Sequence, residues 1–281
     1  MSISETFREL QKRREGALIA YITGGDPAPK YTPKIAEALI EGGADLLEIG
    51  VPFSDPIADG PIIQVADYRA LQAGTTPQTI FDIVKETKKR SNVPIALLTY
   101  YNILFKMGVK NFFKKASEYR VDGLIIPDLP IEEAEEYREI ARKEGVDTIF
   151  LATPSTSMNR LANILDYTTG FLYLVSVFGV TGTRERVAKL TIDTVKRVHP
   201  HTVGAVPLAV GFGLSKPEHV KAVISYGAEG AIVGSAFVKI VEDDLEKPAR
   251  IVEDVSALAE KLKAATLRKT LKMEKAEGVI D

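Results

Sequence analysis

The sequence predicts an α/β fold, a single (β/α)8 TIM barrel with a short N-terminal helix. Short apolar runs alternate with longer amphipathic runs eight times along the 281 residues. The apolar runs are nearly continuous, as in parallel strands that are covered on both faces. Eight such units in about 250 residues are typical of this barrel. The alternative is an open doubly wound sheet, but Pro27 and Pro29 make the first turn a poor dinucleotide loop.

The individual elements follow from these runs and from the glycines that end the helical segments. Strands are predicted over residues 17–23, 46–50, 94–100, 123–128, 147–153, 171–177, 207–213 and 230–237. Helices are predicted over residues 4–15, 32–41, 76–90, 109–120, 131–144, 158–167, 187–198, 216–226 and 248 to about 270, and a short one is expected to follow Gly234-Ser235. Because we find no linker or low-complexity segment, residues 1–281 are expected to form one domain.

The composition argues against several classes of protein, namely nucleic-acid-binding, membrane, secreted and metal-binding proteins. The chain has 36 Lys and Arg against 38 Asp and Glu, a net charge of -2 without a basic block, which argues against nucleic acid or an anionic membrane as a main partner. No apolar run approaches the roughly 18 residues of a membrane span, and the polar N-terminus lacks a signal-peptide core. With no cysteine and three histidines, a cytoplasmic protein without a metal site is expected.

Glu48 is the main catalytic candidate because it lies inside an apolar strand that should be buried. A buried ionised carboxylate is costly unless something pairs with it, and carboxylates at strand ends suit acid–base chemistry. The predicted strands contain no lysine for a Schiff base, and His199, His201 and His219 do not lie at catalytic strand ends. A structural glutamate that accepts a hydrogen bond from a backbone amide is the alternative for Glu48.

Three aspartates have simpler explanations beside functional ones. Asp59 precedes Gly60, and Asp-Gly is a common turn pair, so from spacing alone Asp59 is more typical of a turn. Asp55 is expected to cap its local turn. Asp128 is equally consistent with a functional role and with a cap for the helix predicted to begin at Ile131.

Glycines at the ends of the last three strands predict a phosphate site. Residues 178–184 read Phe-Gly-Val-Thr-Gly-Thr-Arg, strand seven ends in Gly211-Phe212-Gly213, and Gly234-Ser235 follow strand eight. In these barrels the loops after strands seven and eight and a short helix N-terminus bind phosphate through backbone N–H groups. The alternative is that the glycines only relieve crowding.

Residues 48–61, Glu-Ile-Gly-Val-Pro-Phe-Ser-Asp-Pro-Ile-Ala-Asp-Gly-Pro, closely resemble the signature of the tryptophan synthase alpha subunit. The resemblance continues in order over nearly the whole chain, through the segments 100–102, 127–130, 179–182, 211–213 and 234–235. It implies a lyase that cleaves indole-3-glycerol phosphate to indole and glyceraldehyde 3-phosphate by a retro-aldol reaction. The chain then needs no cofactor, and pyridoxal phosphate is expected only on the partner beta subunit.

The resemblance also implies roles for individual residues. Glu48 matches the general acid–base residue, Asp59 the carboxylate that accepts the indole N–H, and Tyr173 a tyrosine near the bond that breaks. The phosphate-binding positions are matched by Gly182, Phe212, Gly213, Gly234 and Ser235. The indole pocket and its covering loop are matched by Tyr21, Leu98, Tyr100, Ile125 and Thr181. Tyr21 stands where a phenylalanine is expected, and Pro127 where a small residue is usual.

The leading hypothesis is an alpha subunit in an αββα complex, with loops 52–60, 102–108 and 128–131 as the surface that contacts the beta subunit. A stand-alone lyase that releases free indole is the second. A non-catalytic phosphate-binding subunit is disfavoured by the presence of Glu48 and Asp59. An isomerase or synthase on a similar barrel is disfavoured by the missing lysine and the poorly placed histidines.

Overall fold

The computed structural model describes residues 1–176 and 184–268, with residues 184–188 described as backbone only. Within this part of the chain the nine strands are β1 Ala17–Thr23, β2 Leu46–Gly50, β3 Ile95–Leu98, β4 Gly123–Ile125, β5 Asp147–Ile149, β6 Leu151–Ala152, β7 Leu172–Val175, β8 Leu208–Gly211 and β9 Gly230–Val233. The helices are α1 Ile3–Lys12, α2 Thr32–Glu41, α3 Pro61–Gln72, α4 Pro77–Arg90, α5 Tyr101–Met107, α6 Val109–Glu118, α7 Glu135–Glu144, α8 Met158–Tyr167, α9 Arg184–Thr202, α10 Pro217–Ser225, α11 Ser235–Asp243 and α12 Pro248–Ala264. In this part of the chain, no helix combines the length and the apolar character that a membrane crossing requires.

The strands form one parallel sheet in the order β5-β4-β3-β2-β1-β9-β8-β7-β6. Its two ends meet because β5 and β6 are separated only by Phe150. β5 pairs with β4, whereas β6 pairs with β7, so the chain changes its pairing partner at this residue. The predicted TIM barrel is confirmed. The single strand predicted over residues 147–153 is wrong in detail, because the stagger that closes a barrel shifts the pairing within it.

Two apolar layers hold the barrel together. The larger one lies between the strands and the surrounding helices, and the smaller one fills the interior of the barrel. The interior layer includes Ile3, Phe7 and Leu10 of α1, which pack with the interior strand residues. This helix begins with a capping box, in which Ser2 and Glu5 bond each other's backbone amides. The short N-terminal helix predicted over residues 4–15 is therefore present.

Several predicted boundaries are wrong, mostly on the catalytic side. Strands β3, β4 and β9 end before the predicted residues 100, 128 and 237, and Ser235 already belongs to α11. α3 and α5 were not predicted; α3 begins at Pro61, directly after a proline-rich loop, and α5 has only seven residues. The helix predicted over 131–144 is a 3-10 turn at Ile131–Glu133 followed by α7. α12 ends at Ala264, short of the predicted residue 270.

Candidate active site

A cavity that opens to solvent lies at the C-terminal ends of the strands. Its lining contains the predicted site residues Tyr21, Glu48, Asp59, Leu98, Tyr173, Phe212, Gly213, Gly234 and Ser235. Two further lining residues, Ile63 of α3 and Ile232 of β9, were not singled out from the sequence. Residues that are far apart in the sequence thus surround one space that combines apolar walls, two acids and a glycine-rich end.

Glu48 is in the middle of β2, where its backbone pairs in register with Tyr21 and Ala96. Its side chain is almost fully buried, and Oε2 has no hydrogen-bond partner among the described residues. Burial, and secondarily the nearby charge of Asp59, raises the pKa of Glu48 to about 8. Glu48 is therefore protonated at neutral pH and can give a proton to a molecule in the cavity. The alternative of a glutamate tied to a backbone amide finds no support in this geometry.

Asp59 follows the loop after β2 and faces Tyr100. The Tyr100 hydroxyl donates a 2.6 Å hydrogen bond to Oδ2 of Asp59 and accepts a 3.0 Å bond from the Ala58 amide. Burial raises the pKa of Asp59, and the bond from Tyr100 opposes that rise. The Asp59 amide also donates to the Pro56 carbonyl oxygen at 3.1 Å. Asp59 is thus both a turn residue and a residue of the cavity.

Two tyrosines reach the cavity over glycines of neighbouring strands. A Cβ on Gly50 would lie 2.3 Å from the Tyr21 hydroxyl oxygen, and one on Gly211 would lie 2.5 Å from that of Tyr173. Only glycine leaves room for these rings at the strand ends. The Tyr21 hydroxyl also lies within 3.3 Å of the Thr23 hydroxyl. Burial raises the pKa of Tyr21 and Tyr173 well above the ordinary value, so both remain neutral.

The glycine-rich end of the cavity suits an anion. Phe212 and Gly213 have φ angles of 68° and 73°, in the left-handed region that a non-glycine residue such as Phe212 seldom adopts. The Phe212 carbonyl oxygen accepts a hydrogen bond from the Ser176 hydroxyl. Gly234 is the N-cap of α11 and makes no side-chain cap bond. The first N–H groups of α11 and the positive end of its dipole can therefore bind a phosphate beside Ser235.

The remaining predicted site residues have different placements. Ile125 is completely buried in the interior of the barrel and does not line the cavity. Tyr100 acts on the cavity through Asp59, and its ring stacks on that of Phe53 with centroids 5.2 Å apart. Thr181 and Gly182, with the rest of segment 177–183, lie outside the described residues.

Of the two explanations left open for Asp128, a cap on the helix at Ile131 is wrong. Its carboxylate accepts the Tyr101 amide at 2.9 and 3.2 Å, so it caps α5, which the sequence analysis did not predict. The cap position before Ile131 is occupied by Pro130, which makes no side-chain cap bond.

Asp67 of α3 is a buried acid that the sequence analysis missed. Burial, and next the charge of Asp59, raises its pKa to about 8, while a hydrogen bond from the Phe53 backbone opposes the shift. The available signal was an acid on the apolar side of a helix, but that helix was itself not recognised.

The amino-acid sequence is similar to those of known tryptophan synthase alpha chains. The family model for the tryptophan synthase alpha chain matches residues 7–267. A tryptophan synthase alpha chain of Methanoregula boonei is 48% identical over 254 residues, which cover 90% of this chain and 95% of that relative. The alpha chain of Arabidopsis thaliana is 43% identical over 265 residues, which cover 94% of this chain and 95% of that relative.

The chain is also similar to solved structures of tryptophan synthase alpha chains. A chain from the tryptophan synthase a2b2 complex of Pyrococcus furiosus has a TM-score of 0.82 at 46% identity, with 89% of this chain and 98% of that chain covered. Tryptophan synthase subunit alpha of Legionella pneumophila has a TM-score of 0.84 at 33% identity, with 95% of this chain and 98% of that chain covered.

Proposed function

The chain belongs to the tryptophan synthase alpha chain family, and we propose that it cleaves the carbon–carbon bond of indole-3-glycerol phosphate to give indole and glyceraldehyde 3-phosphate. The observation that carries this proposal is Glu48, a buried acid with an unpartnered Oε2. It lines one cavity with Asp59 and with the anion-binding end around Gly234 and Ser235. The cavity therefore combines a proton donor, a carboxylate and a place for a phosphate.

The reaction begins with proton transfer to the indole ring. Protonated Glu48 gives its proton to the ring carbon that bears the glycerol chain, and Asp59 accepts the indole N–H and stabilises the positive charge that develops there. The Glu48 carboxylate then takes the proton of the glycerol hydroxyl next to the bond. As that bond breaks, its electrons return to the ring, which yields indole and an aldehyde and leaves Glu48 protonated again.

The other cavity residues position the substrate. Phe212, Gly213, Gly234, Ser235 and Gly182 are proposed to bind the phosphate, with Tyr173 beside the bond that breaks. Tyr21, Leu98 and Thr181 are proposed to contact the indole ring. The apolar walls exclude water, which strengthens the hydrogen bond between Asp59 and the ring nitrogen.

The partner proposed for this chain is a tryptophan synthase beta subunit, to which it passes indole. A chain of similar structure comes from an a2b2 complex, and this favours the complex over a stand-alone lyase. Pyridoxal phosphate is assigned to the beta subunit and no cofactor to this chain. The complex is proposed to work in the cytoplasm.

The test is release of indole from indole-3-glycerol phosphate, measured with and without a beta subunit. Glu48→Gln keeps the size of the side chain but cannot exchange protons, so indole release should fall by at least about a hundredfold. Circular dichroism should show an unchanged fold. Substantial activity of the Gln variant would overturn the acid–base role of Glu48, and a wild-type chain that releases no indole even with the beta subunit would overturn the proposed function.

A further inference from the structure

A largely buried ion pair joins α3 to the loop after β1. Nε and Nη2 of Arg69, on α3, donate to the two carboxylate oxygens of Asp26 at 2.8 Å each. Asp26, in the loop after β1, is only 3% exposed. Nη1 of Arg69 also lies 3.6 Å from Oε1 of Glu242 on α11. Arg69 thus contacts carboxylates of two other segments at once.

This pair needs an explanation beyond stability. Taking two charges out of water costs about as much as their attraction returns, so buried ion pairs are weak evidence for stabilisation. Burial raises the pKa of Asp26, and the bonds from Arg69 oppose the rise. What the two parallel bonds provide is direction, because a planar guanidinium and a carboxylate fit in one relative orientation.

The Asp26 side of the pair is firmly held. The Gly25 amide donates to the Thr32 hydroxyl at 2.9 Å. Gly25 has a φ of 87°, and a Cβ there would lie 2.0 Å from Oγ1 of Thr75. The loop therefore has little freedom to follow Arg69 if α3 moves.

The two helices that Arg69 joins carry different parts of the cavity lining. α3 begins two residues after Asp59, and Gln64 in its first turn donates to the Asp59 carbonyl oxygen at 2.8 Å. α11 begins at Ser235, which lines the glycine-rich end. Arg69 itself does not line the cavity.

We infer that Arg69 is a positioning residue, which with Asp26 and Glu242 fixes the Asp59 end of the cavity relative to the Ser235 end. This inference rests on the proposed function, because it requires one substrate that contacts both ends. The affinity of a ligand that occupies both ends should depend on the Asp26–Arg69 ion pair. The affinity of a ligand that occupies only the phosphate end should not.

The experiment compares two ligands by calorimetry. Indole-3-propanol phosphate reaches both ends and lacks the hydroxyl needed for cleavage, whereas glycerol 3-phosphate occupies only the phosphate end. Arg69→Lys keeps the charge but loses the paired bonds. Arg69→Lys should lower the affinity for indole-3-propanol phosphate by at least about tenfold, because small misplacements of site groups have large effects. It should change the affinity for glycerol 3-phosphate by less than about twofold.

A second variant and a matched control guard against simple loss of folding. Asp26→Asn/Arg69→Gln removes both charges and should give the same selective loss. Lys88→Gln/Asp122→Asn removes another largely buried ion pair, whose Nζ–Oδ2 distance is 2.6 Å and which lies at the opposite end of the barrel. It should leave the ratio of the two affinities unchanged. Thermal melts establish that each variant is folded.

The inference is overturned if the Arg69 variants lose affinity for both ligands equally or for neither. It is also overturned if the control variant changes the ratio of the two affinities as much as they do. Those results differ from failure of the proposed function, in which the wild-type chain itself releases no indole. A selective loss of the longer ligand in both Arg69 variants, with kcat/KM for indole-3-glycerol phosphate lowered in parallel, supports the positioning role.

Discussion

The hydroxyl of Tyr100 lies between the Asp59 carboxylate and the Ala58 amide, at 2.6 and 3.0 Å. Because this hydroxyl accepts one bond and donates the other, it directs Oδ2 of Asp59 and leaves Oδ1 available to a ligand. Its contact also favours the ionised form of Asp59, against the effect of burial on the pKa. At the residue scale, the state of Asp59 therefore depends on a tyrosine outside the cavity lining.

Tyr100→Phe removes this bond and keeps the ring that stacks on Phe53. A hydrogen bond to a charged group contributes about 1.5–3 kcal/mol, so kcat/KM should fall by about tenfold or more. Without the donor the pKa of Asp59 rises further. Because the proposed reaction needs ionised Asp59, the acid limb of the pH profile should move to higher pH. Measurement of kcat/KM for indole-3-glycerol phosphate against pH tests both effects.

Tyr137→Phe is the matched control for this prediction. Tyr137 is also buried, and its hydroxyl donates to the Leu124 carbonyl oxygen at 3.3 Å, in the layer between strands and helices. Its removal should leave the pH profile in place. An acid limb that stays fixed in Tyr100→Phe, or one that moves equally in both variants, would contradict the role given to Tyr100.

The residues of the site differ in how far the sequence could predict them. Glu48 could be found because an acid inside an apolar strand is conspicuous by itself. From spacing alone Asp59 is typical of a turn residue, and only the family resemblance assigns it to the site. The bond from Tyr100 and the left-handed φ of Phe212 depend on how separate loops meet in space, and no local pattern in the sequence reports such meetings.

At the element scale, acids connect neighbouring strands at the N-terminal end of the barrel. Asp45, Asp122 and Glu229 each directly precede a strand, β2, β4 or β9. Each accepts a backbone amide of the adjacent strand, at 2.7 to 2.8 Å, from Leu18, Ile95 and Leu208 respectively. Lys88 of α4 adds an ion pair to Asp122 and donates to the Val93 carbonyl oxygen. These bonds hold the strands in register, far from the cavity.

Asp122→Ala should destabilise the chain and leave its chemistry intact. The Lys88 side chain is only 4% exposed, so removal of its partner leaves a buried ammonium unpaired. Breaking a buried pair in this way should lower the free energy of unfolding by about 3 kcal/mol. Urea unfolding measures this loss, while kcat for folded protein should not change because the site lies at the other end of the strands.

The control is Glu9→Ala, which breaks an exposed pair with Lys12 on α1. Solvent screens such a pair, so the unfolding midpoint should barely move. If Asp122→Ala behaved like Glu9→Ala, the stabilising role of the buried pair would be wrong.

The elements that the sequence failed to predict share a physical origin. α3 follows a proline-rich loop, and its N-cap Gly60 has no side chain to bond the first amides, so Pro61 at the first helical position is its main start signal. α5 is capped by Asp128 from a loop that lies 27 residues further along the chain. The division of a strand at Phe150 is set by closure of the whole barrel. Helices with a regular apolar period could be predicted, whereas α3, which follows a proline-rich loop, and the elements defined by distant partners could not.

At the scale of the whole molecule, two large apolar side chains are exposed on loops 52–60 and 102–108, which are predicted to contact the beta subunit. Ile57 is 82% exposed and Phe105 of α5 is 71% exposed, and both lie on the C-terminal side of the barrel near the cavity. Large apolar side chains exposed on the loops beside a cavity are candidates for contact with a partner. A beta subunit that covers this face would receive indole close to where it forms.

Phe105→Asp should therefore weaken binding of the beta subunit without harm to the chain itself. A charge at the centre of an apolar contact leaves an unpaired carboxylate in the interface, so the affinity should fall by at least about tenfold. Calorimetric titration with the beta subunit measures the loss, and the rate of indole release without that subunit should stay the same. Val203→Asp is the control, because Val203 is 62% exposed but precedes β8 at the opposite end of the barrel. Equal affinities for the two variants would exclude the loop 102–108 from the interface, whereas a loss confined to Phe105→Asp would place the partner over the mouth of the cavity.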